Sequence, residues 1–174
     1  RIQAIIEEII TAEGQTVLGW RVVPTDSSSL GPTALAGEPT FKQIFIGRGD
    51  NVADEMDFER KLFVIRKLVE KAVATSDLSE KNYFYIPSLS HRTFIYKGML
   101  TVTQLELMYP DLLQDDFESA LALVHQRFST NTFPAWKLAH PFRFVAHNGE
   151  INTVRGNANW MRAREALCES DLFG

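Results

Sequence analysis

Two stretches of this chain carry side chains suited to gripping a carboxylate and stabilising an oxyanion: LVHQRFSTNTFPAW at 123–136 and FRFVAHNGEINTVRGNANWMRARE at 142–165. Each sets functional groups at the C-terminal end of an apolar strand, where a rigid element can aim them at a cleft. Arg127 follows the run 120–124 and precedes a Ser-Thr-Asn-Thr loop. A guanidinium there can clamp a carboxylate through two parallel hydrogen bonds, which the point charge of a lysine does less well. The competing reading is a surface arginine paired with a nearby acid, and position alone favours it. Asn148-Gly149 follows the strand-like run 142–147. An asparagine amide beside an unobstructed glycine N–H can hold a developing oxyanion. Asn-Gly is also the commonest signal for a tight hairpin turn, and without other information the turn reading wins.

Other candidates carry less. His125 and His147 sit in apolar runs with no clustered cysteines or paired acids, so structural histidines are expected and no metal site. Gly47-x-Gly49 lacks the third glycine and the following helix of a dinucleotide fingerprint. The Arg48-Gly49-Asp50 tripeptide reads as a chance occurrence. Cys168 is expected to be an inert packing residue inside the last helix.

The elements that must position these residues are legible from periodicity. Ile2, Ile5, Ile6, Ile9 and Ile10 repeat as one face of a helix, with Gly14 as its stop. Residues 16–23 and 41–46 read as strands, separated by a loop from Pro24 to Pro39. A second helix is expected from Asp57 to about Thr75, its buried face marked by Phe58, Leu62, Ile65, Val69 and Val73. Short strands are expected near 83–86 and 92–97, then a helix from Thr101 to Met108 with Thr103 and Glu106 as a capping box. Two apolar runs at 120–127 and 142–147 and a helix from Asn152 to Cys168 complete the chain. This alternation implies an α+β fold with sheets covered by helices.

Composition sets the class. With 174 residues, 45% hydrophobic and 23% charged, the chain has the profile of a globular domain. A net charge of −4 argues against a general nucleic-acid binder. No apolar run approaches the roughly 20 residues needed to cross a bilayer. The single cysteine excludes an intrachain disulfide framework and fits a reducing compartment.

Taken as written, the two stretches resemble the glutaminase domain of the glutamate synthases, a class II glutamine amidotransferase. The family pattern H-Q/S-R-F-S-T-N-T-F-P-x-W is followed by A-H-N-G-E-I-N-T-x-R-G-N-x-N-W-M, and the match covers His125–Trp136 and Ala146–Arg164 almost residue for residue. Weaker similarity runs through Leu18-Gly19-Trp20-Arg21, Leu30-Gly31-Pro32-Thr33 and Ile95-Tyr96-Lys97-Gly98-Met99-Leu100.

The resemblance implies an N-terminal-nucleophile hydrolase fold, a four-layer αββα sandwich of antiparallel sheets, here incomplete. It assigns Arg127 to the α-carboxylate of L-glutamine, Thr130 to the lining of the glutamine pocket, and Asn148 with Gly149 to the oxyanion hole. It further implies a nucleophile that is a cysteine at the mature N-terminus. Because residue 1 is Arg, residues 1–174 are expected to be one partial domain, the middle to C-terminal part, inactive alone. The rest of such an enzyme would pass ammonia to synthase domains of the same polypeptide. There 2-oxoglutarate is converted using FMN and an iron–sulfur cluster, with ferredoxin or an NAD(P)H-oxidising subunit as electron donor. The implied location is the cytoplasm, or the plastid stroma in a photosynthetic eukaryote. Another class II amidotransferase, or a non-catalytic glutamine-binding or scaffold module that lost its nucleophile, are the alternatives.

Overall fold

In the computed structural model, described for residues 1–128, 133–147 and 153–173, the chain opens with helix α1 (Ile2–Ala12). Gly14 ends it at φ 75°, a left-handed conformation that glycine adopts without a Cβ clash. Strand β1 (Thr16–Val22) and strand β2 (Lys42–Gly47) then pair antiparallel, Val17 opposite Ile46 and Trp20 opposite Ile44. A bulge between Val17 and Gly19 brings Val17 and Trp20, three residues apart, onto the face that α1 covers. The intervening loop carries a short helix, α2 (Pro32–Ala36), opened by Pro32.

Helix α3 (Glu55–Thr75) starts two residues before the expected Asp57. Asp54 caps it by accepting the Asp57 N–H at 2.8 Å, while Asp57 accepts the Ala53 N–H at 3.0 Å. The expected face is the buried one. Ile65, Val69 and Val73 pack with Ile6 and Ile10 of α1, and Val17, Trp20, Ile44 and Ile46 close over them from the sheet. Phe58 and Leu62 form a smaller cluster with Val52. A two-stranded sheet is marginal alone, so it depends on this helical cover.

A second core gathers Val23, Ala34, Met108, Tyr109 and Trp136. Helix α4 (Val102–Met108) ends in it. Its box lies two residues before the expected pair: the Thr101 N–H donates to Gln104 Oε1 at 2.9 Å, because Gln104 stands at the third helical position from Thr101. Arg21 of β1 donates through both terminal nitrogens to Asp111, which also accepts the Tyr96 hydroxyl at 2.8 Å. The Arg21 guanidinium, outweighing burial, holds the Asp111 carboxyl below the usual carboxylate range. Helix α5 (Val154–Glu165) is shorter than expected and has no buried residue; Asn152 lies outside the described residues.

Three expectations fail. Residues 83–86 and 92–97 form no strand; Phe84, Ile86 and Ile95 instead line a cavity of about 930 Å³ together with Phe41, Ile44 and Ile46. Residues 120–127 are also not a strand, and Leu121 and Val124 are 79% and 73% exposed. Cys168 follows α5 and is exposed rather than packed. Extended apolar segments become strands only when a neighbouring edge takes up their N–H and C=O groups.

The Gly14 turn and the β2–α3 loop touch closely. A Cβ built on Gly49 would lie 1.9 Å from the Gly14 carbonyl oxygen, and the Gly49 N–H donates to Gln15 Oε1 at 2.9 Å. Gly31, by contrast, faces open space. Gly49→Ala is therefore expected to cost about 1–3 kcal/mol, the scale of overpacking a tight contact. Gly31→Ala should stay within about 0.5 kcal/mol. Thermal or urea unfolding of the intact protein carrying each change distinguishes them.

Candidate active site

The segment that carries the first motif is held by Trp136, at the start of a single 3₁₀ turn (Trp136–Leu138). Its indole is 5% exposed, donates Nε1–H to the Ala34 carbonyl at 2.9 Å, and packs on Phe41 at 5.8 Å between ring centroids. A Cβ on Gly98 would fall 2.4 Å from the same indole, so only glycine leaves room for it.

Beyond Trp136 the chain reaches His140 and then turns. Phe142 and Val145 exchange both backbone hydrogen bonds at 2.8 Å, making a two-residue hairpin turn with Arg143 and Phe144 at its tip. The expected strand over 142–147 is thus a tight turn. Arg143 sits at φ 50°, which costs a non-glycine residue about 1–2 kcal/mol and persists only where the surroundings impose it. Its guanidinium reaches Glu59 Oε2 at 3.3 Å.

Glu59 lies on the buried face of α3 and is 8% exposed. Burial alone would raise its pKa, yet the Ser90 hydroxyl, the His91 N–H and the charges of His91 and Arg143 hold it below the ordinary carboxylate value. The Ser90 hydroxyl and the His91 N–H lie 2.7 and 2.8 Å from its Oε1.

Lys97 approaches the same arm from another side. It is 4% exposed, and its ammonium donates to the carbonyls of Lys137 at 3.0 Å and Ala139 at 2.7 Å. The Phe142 ring lies 4.2 Å from Nζ, a cation–π distance. Burial, with the Arg66 charge as a smaller cause, pushes the Lys97 pKa down to about 8.

The two motif stretches meet through three imidazoles. His125 lies 5.0 Å and His147 5.1 Å from the His140 ring, centroid to centroid. His125 precedes Arg127 by two residues and contacts its carbonyl through Nε2 at 2.6 Å, and His147 immediately precedes Asn148. Burial, then the neighbouring His125, His147 and Lys97, lower the His140 pKa. The two histidines weighed in the sequence are therefore not strand residues but the contact between the motifs. Among the described residues no group of three or more His, Cys, Asp or Glu side chains could hold a metal ion.

Arg127 is exposed, and among the described residues its guanidinium has no ion-pair partner. The local acid of the surface-arginine reading is not found there. Thr130, Asn148 and Gly149 lie outside the described residues. Lys97, Glu59 and His140 were not singled out from sequence. Glu59 had a signal there, a charge three residues before Leu62 on the apolar stripe of α3, and Lys97 lay within the family-like stretch Ile95–Leu100.

The family model for class-II glutamine amidotransferases matches residues 1–174. The chain is 51% identical, over its whole length, to the glutamate synthase (NADPH) large chain of Bacillus subtilis, covering 11% of that protein. It is 47% identical over 97% of its length to the ferredoxin-dependent glutamate synthase 2, chloroplastic, of Arabidopsis thaliana, covering 10%. To the glutamate synthase (NADH) of Saccharomyces cerevisiae it is 45% identical over 99% of its length, covering 8%. The chain thus spans about a tenth of the length of the curated relatives it matches.

Trp136→Phe keeps a ring in the second core but leaves the Ala34 carbonyl without its donor. A loss of about 1–3 kcal/mol is expected, the cost of a buried unpaired polar group. Limited proteolysis of the intact protein should then cut faster between residues 120 and 147, and an unchanged cleavage rate would count against Trp136 as the attachment of this arm.

Proposed function

This chain belongs to the class-II glutamine amidotransferases, and from that membership we propose that residues 1–174 are the glutamine-binding and oxyanion-stabilising part of a glutamate synthase glutaminase domain. The observation that supports the reading is the contact of the His140 ring with His125, two residues before Arg127, and with His147, the residue before Asn148. In this reading Arg127 grips the α-carboxylate of L-glutamine and Thr130 lines its pocket. A cysteine thiolate from polypeptide outside residues 1–174 attacks the side-chain amide carbon. The Asn148 amide and the Gly149 N–H hold the oxyanion as the tetrahedral species forms. The C–N bond breaks and ammonia leaves. Water then cleaves the γ-glutamyl thioester to glutamate and restores the thiolate.

The ammonia is consumed in synthase domains of the same longer polypeptide, where 2-oxoglutarate becomes glutamate. FMN and an iron–sulfur cluster would carry the reducing electrons there, from ferredoxin or an NAD(P)H-oxidising subunit. Residues 1–174 do not fit the cluster: such clusters are held by several thiolates, and Cys168 is the single cysteine. The finer architecture belongs to the same proposal. The exposed apolar groups of Leu121, Val124, Phe133, Phe144 and Trp160, with a β2 edge that pairs with no third strand among the described residues, support a four-layer αββα sandwich completed by polypeptide outside this span. We place the enzyme in the cytoplasm, or in the plastid stroma of a photosynthetic eukaryote, with no nucleic-acid or membrane partner. Among the described residues no helix is long and apolar enough to cross a membrane.

In the full-length enzyme Arg127→Lys keeps the charge but loses the bidentate geometry. The expected result is a raised KM for glutamine with ammonia-dependent synthesis untouched; an equal fall in both would make Arg127 structural. Asn148→Asp separates oxyanion donor from turn residue, since Asp serves well in a turn but sets a negative charge against the oxyanion. Glutamine kcat should fall on the order of 100–1,000-fold, the loss typical of one oxyanion donor. Near-normal glutamine turnover in that variant would return Asn148-Gly149 to an ordinary turn.

A further inference from the structure

Two buried ions of opposite sign converge on the arm that runs from Trp136 to His147, and among the described residues neither touches Arg127. We propose that Lys97 and Glu59 are positioning residues for glutamine hydrolysis, clamping this arm from opposite ends so that the chain enters Asn148 in a fixed direction.

The Lys97 end is a set of short contacts to backbone. Two ammonium hydrogens go to the Lys137 and Ala139 carbonyls, and the charge faces the Phe142 ring. No carboxylate among the described residues pairs with it; Tyr85 lies 5.6 Å from Nζ, and the carbonyl of Lys97 itself accepts the Tyr109 hydroxyl at 2.8 Å. A lysine kept for stability alone would be expected at the surface or paired with an acid. Here the charge is spent on orienting peptide groups of one segment.

The Glu59 end works through Arg143. Glu59 is fixed by the Ser90 hydroxyl, the His91 N–H and His91 Nδ1, the last at 2.8 Å, and its second oxygen faces the Arg143 guanidinium. Arg143 is the one non-glycine residue with positive φ among the described residues, at the corner of the Phe142–Val145 turn. An ion pair from a rigid helix onto the residue with the unfavourable backbone is what holds such a turn in one conformation. Both ends act on residues 137–145, three or more positions before Asn148, so the effect falls on geometry and not on substrate contact. Misplacing reacting groups by about 1 Å can cost on the order of 100-fold in rate.

This assignment rests on the proposed glutaminase reading. It is tested in the full-length enzyme with Glu59→Gln and Lys97→Met, beside Asn148→Asp. Glu59→Gln is the decisive variant, since it keeps side-chain volume and an acceptor for Ser90 and His91 while removing the charge that faces Arg143. The expected signature is a fall in glutamine kcat of about 10- to 100-fold, with the glutamine KM within about two-fold and ammonia-dependent synthesis unchanged. Lys97→Met should show the same split if it folds. Unchanged kcat in Glu59→Gln, a change confined to KM, or a parallel fall in ammonia-dependent synthesis overturns the proposal. If Asn148→Asp is slow while Glu59→Gln is unaffected, the positioning role alone is lost. If Asn148→Asp turns over glutamine normally, both assignments fall.

Discussion

Ile65, Val69 and Val73 lie fully buried on one face of α3, against Ile6 and Ile10 of α1 and the inner residues of the β1–β2 hairpin. The other elements are placed relative to this contact. The hairpin is too small to be stable by itself, and the long helix supplies the apolar surface it lacks. The same helix, one turn before Leu62, presents Glu59 to the 88–91 loop and to Arg143. Core packing and the placement of the motif-bearing arm thus depend on one rigid element. A displacement of α3 would be felt in both.

The second core performs the matching task for the other side of the arm. Trp136 enters it over Gly98, next to Lys97 in sequence, so the wedge and the ammonium clamp come from adjoining residues on one segment. Buried ions add little net stability in general, because desolvation offsets most of their attraction. Their value lies in direction: a charge that cannot be left unpaired admits few arrangements of its partners. Asp111 with Arg21 and Tyr96, Glu59 with His91 and Arg143, and Lys97 with two carbonyls share that property. The first ties β1 to the turn after α4, and the other two act on residues 137–145.

Histidines link the motifs for a related reason. A neutral imidazole is flat, partly apolar and able to donate or accept, so it suits a contact between two segments that lack regular hydrogen bonding. His140 stands between His125 and His147, and burial favours its neutral form.

The amino-acid sequence by itself determined α1, α3 and the strands β1 and β2, because each carries a periodic apolar face or a β-branched run that has one low-energy use. It also determined the family, through two long motifs whose order and spacing leave little room for accident. The roles of Arg127, Thr130, Asn148 and Gly149 came from that resemblance, since each residue type alone fits a surface or turn position equally well. Only the tertiary structure decided what the remaining apolar runs become. Residues 83–86, 92–97 and 120–127 have strand-like composition, but a strand exists only where another edge accepts its backbone groups, and among the described residues no edge pairs with them. Tertiary structure alone likewise brought Lys97 and Glu59 to one arm. Their partners are carbonyls and an arginine 40 to 84 residues away, and no local pattern encodes a contact between groups so far apart along the chain.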